Sequence, residues 1–409
     1  MKEGNQVSNW KINLTVLWFG QFMVTAGMSM VMPFLPLYVQ EMGITDPDAN
    51  AMWAGMLFAA NFVTAFIAQP IWGSVADRYG RKLMILRSGI GMSIVIFCMG
   101  LATNVWQLLF LRMLNGTISG FIPAATALIS ANTPRERMGF AMGVLQSGAV
   151  GGTILGPFIG GLLADIIGFR PIFYVTGSLI FLATMLAAFL VKEKFDKAEA
   201  KSAPKVSILE GLQNIRSIKA LPSLYAVTFM INFAMMSSMP LMPLFIEQMH
   251  GSIPRLAFYA GLVGSITGFA NMAASPILGR LGDRLGSEKI LMICLIGAGL
   301  SFIPQMFVQN VWQLLAARFI LGLFMGGLLP SVNALIRKHT PDGMESRAFS
   351  FNTSSMALAN MIGPILGGIF FGIIGIRGIF AAAAILFFIN MAWVRKKLNL
   401  AKQEQAAAS

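Results

Sequence analysis

Long apolar runs alternate with short polar gaps along the whole chain. A helix needs about 20 predominantly apolar residues to cross the hydrocarbon core of a bilayer. Twelve runs reach that scale, at roughly 14–40, 51–75, 83–103, 106–128, 138–164, 170–191, 222–248, 257–279, 289–308, 312–335, 346–373 and 377–394; they are numbered here as spans 1 to 12. Gly and Pro interrupt many of them, which a bundle tolerates because neighbouring helices satisfy the freed backbone groups. Span 1 is too long for a signal-peptide core and shows no small-residue cleavage pattern near residue 30, so it is expected to be retained. The pattern predicts an all-α membrane protein.

The polar gaps are charged unevenly. With both termini on the cytoplasmic side, 25 of the 30 Lys and Arg residues fall on that side. Only Arg170, Arg255 and Arg377 fall opposite, while Arg112 and Arg318 lie inside spans. A Lys/Arg excess marks cytoplasmic loops, so both termini are expected inside. The longest gap divides the chain into an N-terminal six-helix bundle (1–191), a linker (192–221) and a C-terminal six-helix bundle with its tail (222–409). In the linker, Ser207 and Glu210 have capping-box spacing, and Ile208, Leu212, Ile215 and Ile218 share one helical face. A short amphipathic helix on the membrane surface is expected there; a frayed connector is the alternative.

Composition sharpens this picture. Of 409 residues, 56% are hydrophobic and 11% charged, against about 25% charged in soluble domains. The net charge of +13 could suggest nucleic acid. Its placement in short gaps beside apolar runs points instead to anionic membrane lipid. Cys98 and Cys294 lie in separate spans, and His250 and His339 are read as loop residues, so neither a disulfide framework nor a metal site is expected. No phosphate loop of the form G-x-x-x-x-G-K-[ST] is present. No cofactor is expected.

The two halves repeat. Met32-Pro33-Phe34-Leu35-Pro36-Leu37 returns as Met239-Pro240-Leu241-Met242-Pro243-Leu244, and Trp53-Ala54-Gly55 as Tyr259-Ala260-Gly261. Ala76-Asp77-Arg78-Tyr79-Gly80 returns as Gly282-Asp283-Arg284-Leu285-Gly286, and residues 104–109 return unchanged at 310–315. Gly156-Pro157 returns as Gly363-Pro364. The offset holds at 206–207 residues, and an even number of spans separates the copies, so both run the same way through the membrane. Parallel six-helix repeats about a central site suit alternating access.

The segment Gly73-Ser74-Val75-Ala76-Asp77-Arg78-Tyr79-Gly80-Arg81-Lys82 resembles the signature between helices 2 and 3 of the major facilitator superfamily. Gly152-x-x-x-Gly156-Pro157-x-x-Gly160-Gly161 is similar to the fifth-helix motif of its antiporter branch. The run Leu108–Gly120, with Arg112 and Gly116, is similar to that branch's fourth-helix motif, and Pro33 and Pro36 match the first-helix pattern of twelve-span drug:proton antiporters. The resemblance covers nearly the whole chain. It implies the major facilitator fold, twelve transmembrane helices in two pseudo-symmetric six-helix bundles.

Site residues follow from residue chemistry and from this resemblance. Gly73 and Gly80 would allow a tight turn and close helix approach. Asp77, among Arg78, Arg81 and Lys82, could cap a helix N-terminus or pair with a cation, Arg137 and Arg347 being candidates. The resemblance implies a conformational latch here, echoed by Asp283 and Arg284; a purely topological role for the charges is the alternative. Gly148, Gly152, Gly156, Gly160 and Gly161 fall near one face for backbone-to-backbone packing, Pro157 can kink the span, and Gly363-Pro364 suggests a mirrored interface. Arg112 is costly inside a span, and the resemblance implies proton coupling; snorkelling is the alternative. No Asp or Glu lies deep in any span, so Glu41, with Asp77, is the candidate proton carrier.

The cavity is expected from composition. With 29 Met and 32 Phe, adaptable apolar walls carrying a few polar groups are expected. Gln21, Asn61, Asn115, Gln146, Asn232, Asn271, Asn352 and Asn360 are the midspan polar candidates, and Phe22, Met30, Phe121, Phe233 and Met236 the walls. The expected function is export of amphipathic small molecules in exchange for protons, by a monomer in a bacterial cytoplasmic membrane. A metabolite exporter or importer of the same fold is the alternative, and a membrane receptor or enzyme a remote one.

Overall fold

The computed structural model describes residues 2–134, 137–193, 220–251, 255–340 and 345–408, with side chains described throughout except at residues 2–9, 77, 220, 345–347 and 397–408. The expected linker helix over 194–219 lies outside these residues. Among the described residues, eleven helices are long and apolar enough to cross a membrane. The last of them, Ala348–Lys396, holds two spans, because the backbone at Gly375 (φ 65°, ψ 174°) leaves helical geometry between predicted spans 11 and 12. The twelve-span layout therefore holds.

Spans 1 and 7 are interrupted where proline removes backbone donors. Span 1 runs as Lys2–Met30, a 3-10 turn Met32–Phe34 and a helix Leu35–Glu41. Span 7 repeats the design as Ala220–Ser238, Met239–Leu241 and Met242–His250. Spans 2 and 3 (Pro47–Tyr79, Arg81–Gly100) turn at Gly80, φ 100°, and spans 8 and 9 (Leu256–Leu285, Ser287–Gln305) at Gly286, φ 96°. Side chains disfavour that backbone region, which accounts for a glycine at both repeat positions. His250 and His339 end helices rather than lie in loops, and the His250 Nε2 accepts a bond from the Val311 N–H at 3.1 Å.

The unchanged hexapeptide is a capping device. Asn104 Oδ1 accepts from the Gln107 N–H at 3.0 Å, while Gln107 Oε1 accepts from the Thr103 N–H at 2.9 Å. In the second copy, Asn310 accepts from Gln313 and Gln313 from Gln309, both at 2.9 Å. Each pair satisfies donors that a helix start leaves unmet.

Spans 4 and 10 diverge after this shared start. Span 10 is one helix, Val311–His339, running through Pro330. Span 4 stops at Ile118 and restarts at Phe121, with Gly120 at φ 152°. Pro123 cannot bond the Ser119 carbonyl, which favours a break there. The break has its own donors: the Trp72 indole N–H bonds the Thr117 carbonyl at 2.7 Å, and Ser119 Oγ bonds the Gly116 carbonyl at 2.7 Å. The repeat counterpart of Trp72 is Leu278, which has no polar group to offer.

The chain forms two compact units: Met1–Thr45, Met56–Pro204 and Ile253–Ser265 in one; Asp46–Gly55, Lys205–Ser252 and Ile266–Ser409 in the other. Each unit thus takes in the beginning of one span from the opposite half of the sequence. In unit 1, spans 1 and 5 pack together, as do spans 3 and 6; in unit 2, spans 7 and 11 and spans 9 and 10 do so.

Candidate functional site

Span 5 meets span 1 through its glycines. A Cβ on Gly148, Gly152, Gly156 or Gly160 would fall within 3 Å of the backbone of Trp18, Phe22, Ala26 or Met30 respectively. Ser29 Oγ adds a bond to the Gly152 carbonyl at 3.0 Å. The helix runs unbroken through Pro157. Gly161 departs from the expected single face: it lies against Ala257 and Phe258 at the start of span 8, and Gly261 in turn lies on the Pro157 carbonyl. Unit 2 repeats this, with Gly367 on Ser237, Gly368 on Ala51, and Gly55 on the Pro364 carbonyl. These contacts draw 253–265 into unit 1 and 46–55 into unit 2, and they explain why Gly55 and Gly261 recur. Gly363 packs more loosely, against Met236.

The polar groups inside the spans fall into two sets. In unit 1, Arg112 is buried, and its Nε and Nη2 have no hydrogen-bond partner among the described residues. Asn115, one turn on, donates to Asn61 Oδ1 at 2.8 Å and keeps its own Oδ1 bare. Gln21 is fully buried with both amide atoms bare. Phe121 is buried just after the break in span 4 and packs against Gly20. In unit 2, Arg318 is buried too, but its Nη2 donates to Ser238 Oγ at 3.3 Å and Met242 Sδ at 3.0 Å. Its guanidinium lies 5.8 and 5.7 Å from the ring centroids of Phe302 and Phe380, within cation–π range.

The remaining cavity candidates are dispersed. Phe22 stacks on Trp18, and Met30 is buried with its carbonyl against Gly160. Gln146 is exposed. Asn232 turns back to the Thr228 carbonyl at 2.9 Å, and Asn352 faces Asn333 at 3.4 Å. Phe233 lines an apolar cavity of about 220 Å³ with Ala234, Ser237, Phe370, Ile379 and Ala383. That is smaller than the roughly 300 Å³ at which ligand pockets begin. Glu41 is exposed at its helix end.

The motif over 73–82 is corrected in one respect. Gly73 is neither in the turn nor at a close approach: it lies within the span 2 helix, and among the described residues nothing sits within 4 Å of where its Cβ would be. The turn belongs to Gly80 alone. Arg78, Asp283 and Arg284 are exposed. The Asp77 and Arg347 side chains lie outside the described residues, so the latch pairing does too. The N-terminus of span 3 is capped by a residue that sequence reasoning missed. Glu193, just past span 6, accepts from the Arg81 N–H at 3.0 Å and the Lys82 N–H at 2.8 Å. Its signal was its place as the first acidic residue after the span. Arg87 was also missed: counted as a topology charge, it lies 3.5 Å from the Trp72 ring centroid with Nε and Nη2 bare, backing the indole that supports the span 4 break.

Among the described residues, no cluster of three or more His, Cys, Asp or Glu could hold a metal. The arrangement is one of glycine crossings and buried cations. The chain is 42% identical over 387 residues to the multidrug resistance protein MdtG of Salmonella arizonae, covering 94% of this chain and 95% of that one. It shares its fold with a bacterial homolog of the human lysosomal transporter Spinster (TM-score 0.76, 15% identity, 95% and 97% of the two chains). The human organic anion transporter MFSD10 is a further fold neighbour (TM-score 0.67, 15% identity, 94% and 99%). The family model of the Major Facilitator Superfamily matches residues 17–267 and 256–408, and the chain belongs to that family.

Proposed function

We propose that this protein exports amphipathic small molecules, antibiotics and dyes among them, by proton antiport through alternating access. The observation that carries this reading is the 42% identity, across 94% of the chain, to a protein named for multidrug resistance. Proton coupling is supported by Arg112, a buried guanidinium with bare nitrogens inside a span; intramembrane ionisable residues mark ion pathways. Glu41 and Asp77 are the proposed proton-carrying carboxylates. Within unit 1 the substrate is proposed to meet Gln21, Asn115 and Phe121, an aromatic wall with few polar groups. The Lys/Arg asymmetry and the bacterial relative support a place in a bacterial cytoplasmic membrane with both termini inside, where the protein is proposed to act as a monomer.

Purified protein in proteoliposomes tests the reading. An imposed pH gradient should drive a fluorescent amphiphile against the proton flow, and an ionophore that collapses the gradient should stop it. Transport indifferent to the gradient would remove antiport, and accumulation in the opposite sense would make the protein an importer. The segment over 73–82 is proposed as the cytoplasmic latch. Asp77→Asn should cut efflux about tenfold at unchanged membrane insertion; wild-type efflux at equal expression would remove the latch.

A further inference from the structure

The glycine crossing of spans 5 and 8 carries two polar contacts between the spans. Asp165, near the end of span 5, accepts from the Phe258 N–H at 2.8 Å. Phe258 lies in the first turn of the helix Leu256–Leu285, so the carboxylate caps the N-terminus of span 8. Lower on the same crossing, Ser265 Oγ donates to the Ile154 carbonyl at 2.6 Å. In the crossing of spans 11 and 2 the positions repeating Asp165 and Ser265 are Gly372 and Ala59, whose side chains offer no such bond.

The local backbone adds to this. Arg255, next to the capped turn, is the only non-glycine residue with positive φ among the described residues, at 67°. A long side chain in that region is strained unless its surroundings hold it. The ionised Asp165 interacts favourably with both the N-terminal end of the helix dipole and the Arg255 charge. The other charged residues at this end of unit 1 are engaged elsewhere. Arg170, at the start of span 6, and Glu41 both act electrostatically on Tyr38 on the span 1 side. The 3-10 turn packed on span 5 contains only Met32, Pro33 and Phe34.

We propose that Asp165 is a proton-released latch on the outer side of the membrane. Ionised, it ties the end of span 5 to the start of span 8; protonated by the external medium, it loses the charge that makes it a strong cap. Alternating access requires these two spans, from different sequence repeats, to part on that side in each cycle. The proposal adds the place where an external proton unlocks the outer side. It rests on the antiport reading for its proton and on the positive-inside orientation for its side.

The test uses the full chain with Cys98 and Cys294 replaced by serine and spin labels at positions 166 and 256, reconstituted in liposomes. Pulsed dipolar spectroscopy reads the distance between the labels as external pH is lowered. The long-distance fraction should rise with acid in the otherwise native protein. In Asp165→Asn it should be about three- to tenfold higher at neutral pH and flat with pH, and Asp165→Glu should restore the pH dependence. An Asp165→Asn protein that keeps both the native distances and their pH response overturns the latch, as does an Asp165→Glu protein that behaves like Asp165→Asn. Drug efflux is measured separately. Its absence would remove the export reading, while the distance response would still decide the latch.

Discussion

Arg112 and Arg318 stand 206 residues apart, at the same place in spans 4 and 10, and both are buried. Their surroundings differ. Arg318 rests among a hydroxyl, a thioether and two aromatic rings, with only its Nε unpaired among the described residues, on a helix that runs without interruption to His339. Arg112 keeps two nitrogens bare, on a helix that ends six residues later at Ile118. The duplicated chain has kept its helix caps, its Gly80 and Gly286 turns and its glycine crossings in both copies. It has let the polar interior diverge. Among the described residues Arg112 keeps more unpaired nitrogens than Arg318, and each unpaired donor leaves hydrogen-bonding capacity for an ion, a water or a substrate. On the proposed antiport, coupling would fall to the first repeat and anchoring to the second.

The packing common to both repeats should be the least tolerant of change. Gly160→Leu and Gly367→Leu each drive a side chain into the backbone of the preceding packed span, at Met30 and Ser237. Backbone cannot yield as a flexible side-chain end can, and overpacking a filled interior costs at least about 1–3 kcal/mol. Both variants should lose most of their monodisperse protein in size-exclusion chromatography after detergent extraction. A large difference between them would break the equivalence of the two crossings.

Arg112 and Arg318 should then separate. Arg112→Met should extract and melt like the unsubstituted protein while its pH-driven efflux falls about tenfold or more. Arg318→Ala leaves a void beside Phe302, Phe380 and Met242, and should cost about 2 kcal/mol in thermal stability. Arg318→Met, which refills the space, should recover most of that loss and retain efflux. If Arg318→Met instead abolishes efflux at normal stability, the second repeat is a coupling site as well.

The layout was legible from the chain because the bilayer admits few solutions: an apolar run of sufficient length is a helix, and a fixed repeat offset is a duplicated bundle. The glycines of span 5 were legible for the same reason, since close packing demands small residues at helical spacing. Gly161 was less so, because two adjacent glycines cannot share one face, and only the fold shows that the second meets span 8. Glu193 and Asp165 were hidden because a side chain capping a distant helix leaves no periodic trace; their partners lie more than 90 residues away in sequence. Gly73 misled for the opposite reason. Its place in a familiar motif suggested a turn, while the helix simply continues to Tyr79.

The smallest effect sharpens the comparison from the conserved side. Asn104 and Asn310 occupy the same cap geometry, with φ −145° and ψ 162° at one and φ −146° and ψ 162° at the other. Each side chain satisfies one N–H that the helix start would otherwise leave to water or lipid headgroups. Asn104→Ala and Asn310→Ala should each lower stability by about 1 kcal/mol, read as equal small drops in melting temperature. Efflux should be unaffected by Asn310→Ala. Asn104→Ala loosens the start of the short helix that carries Arg112, only fourteen residues long and broken at its far end, so it should lower efflux modestly. Span 10, with 29 residues, has further turns to hold Arg318 in place. Equal transport by the two variants at equal stability would show that the break in span 4 does not make Arg112 sensitive to its helix, and the proposed functional asymmetry would then rest on the different surroundings of the two guanidinium groups alone.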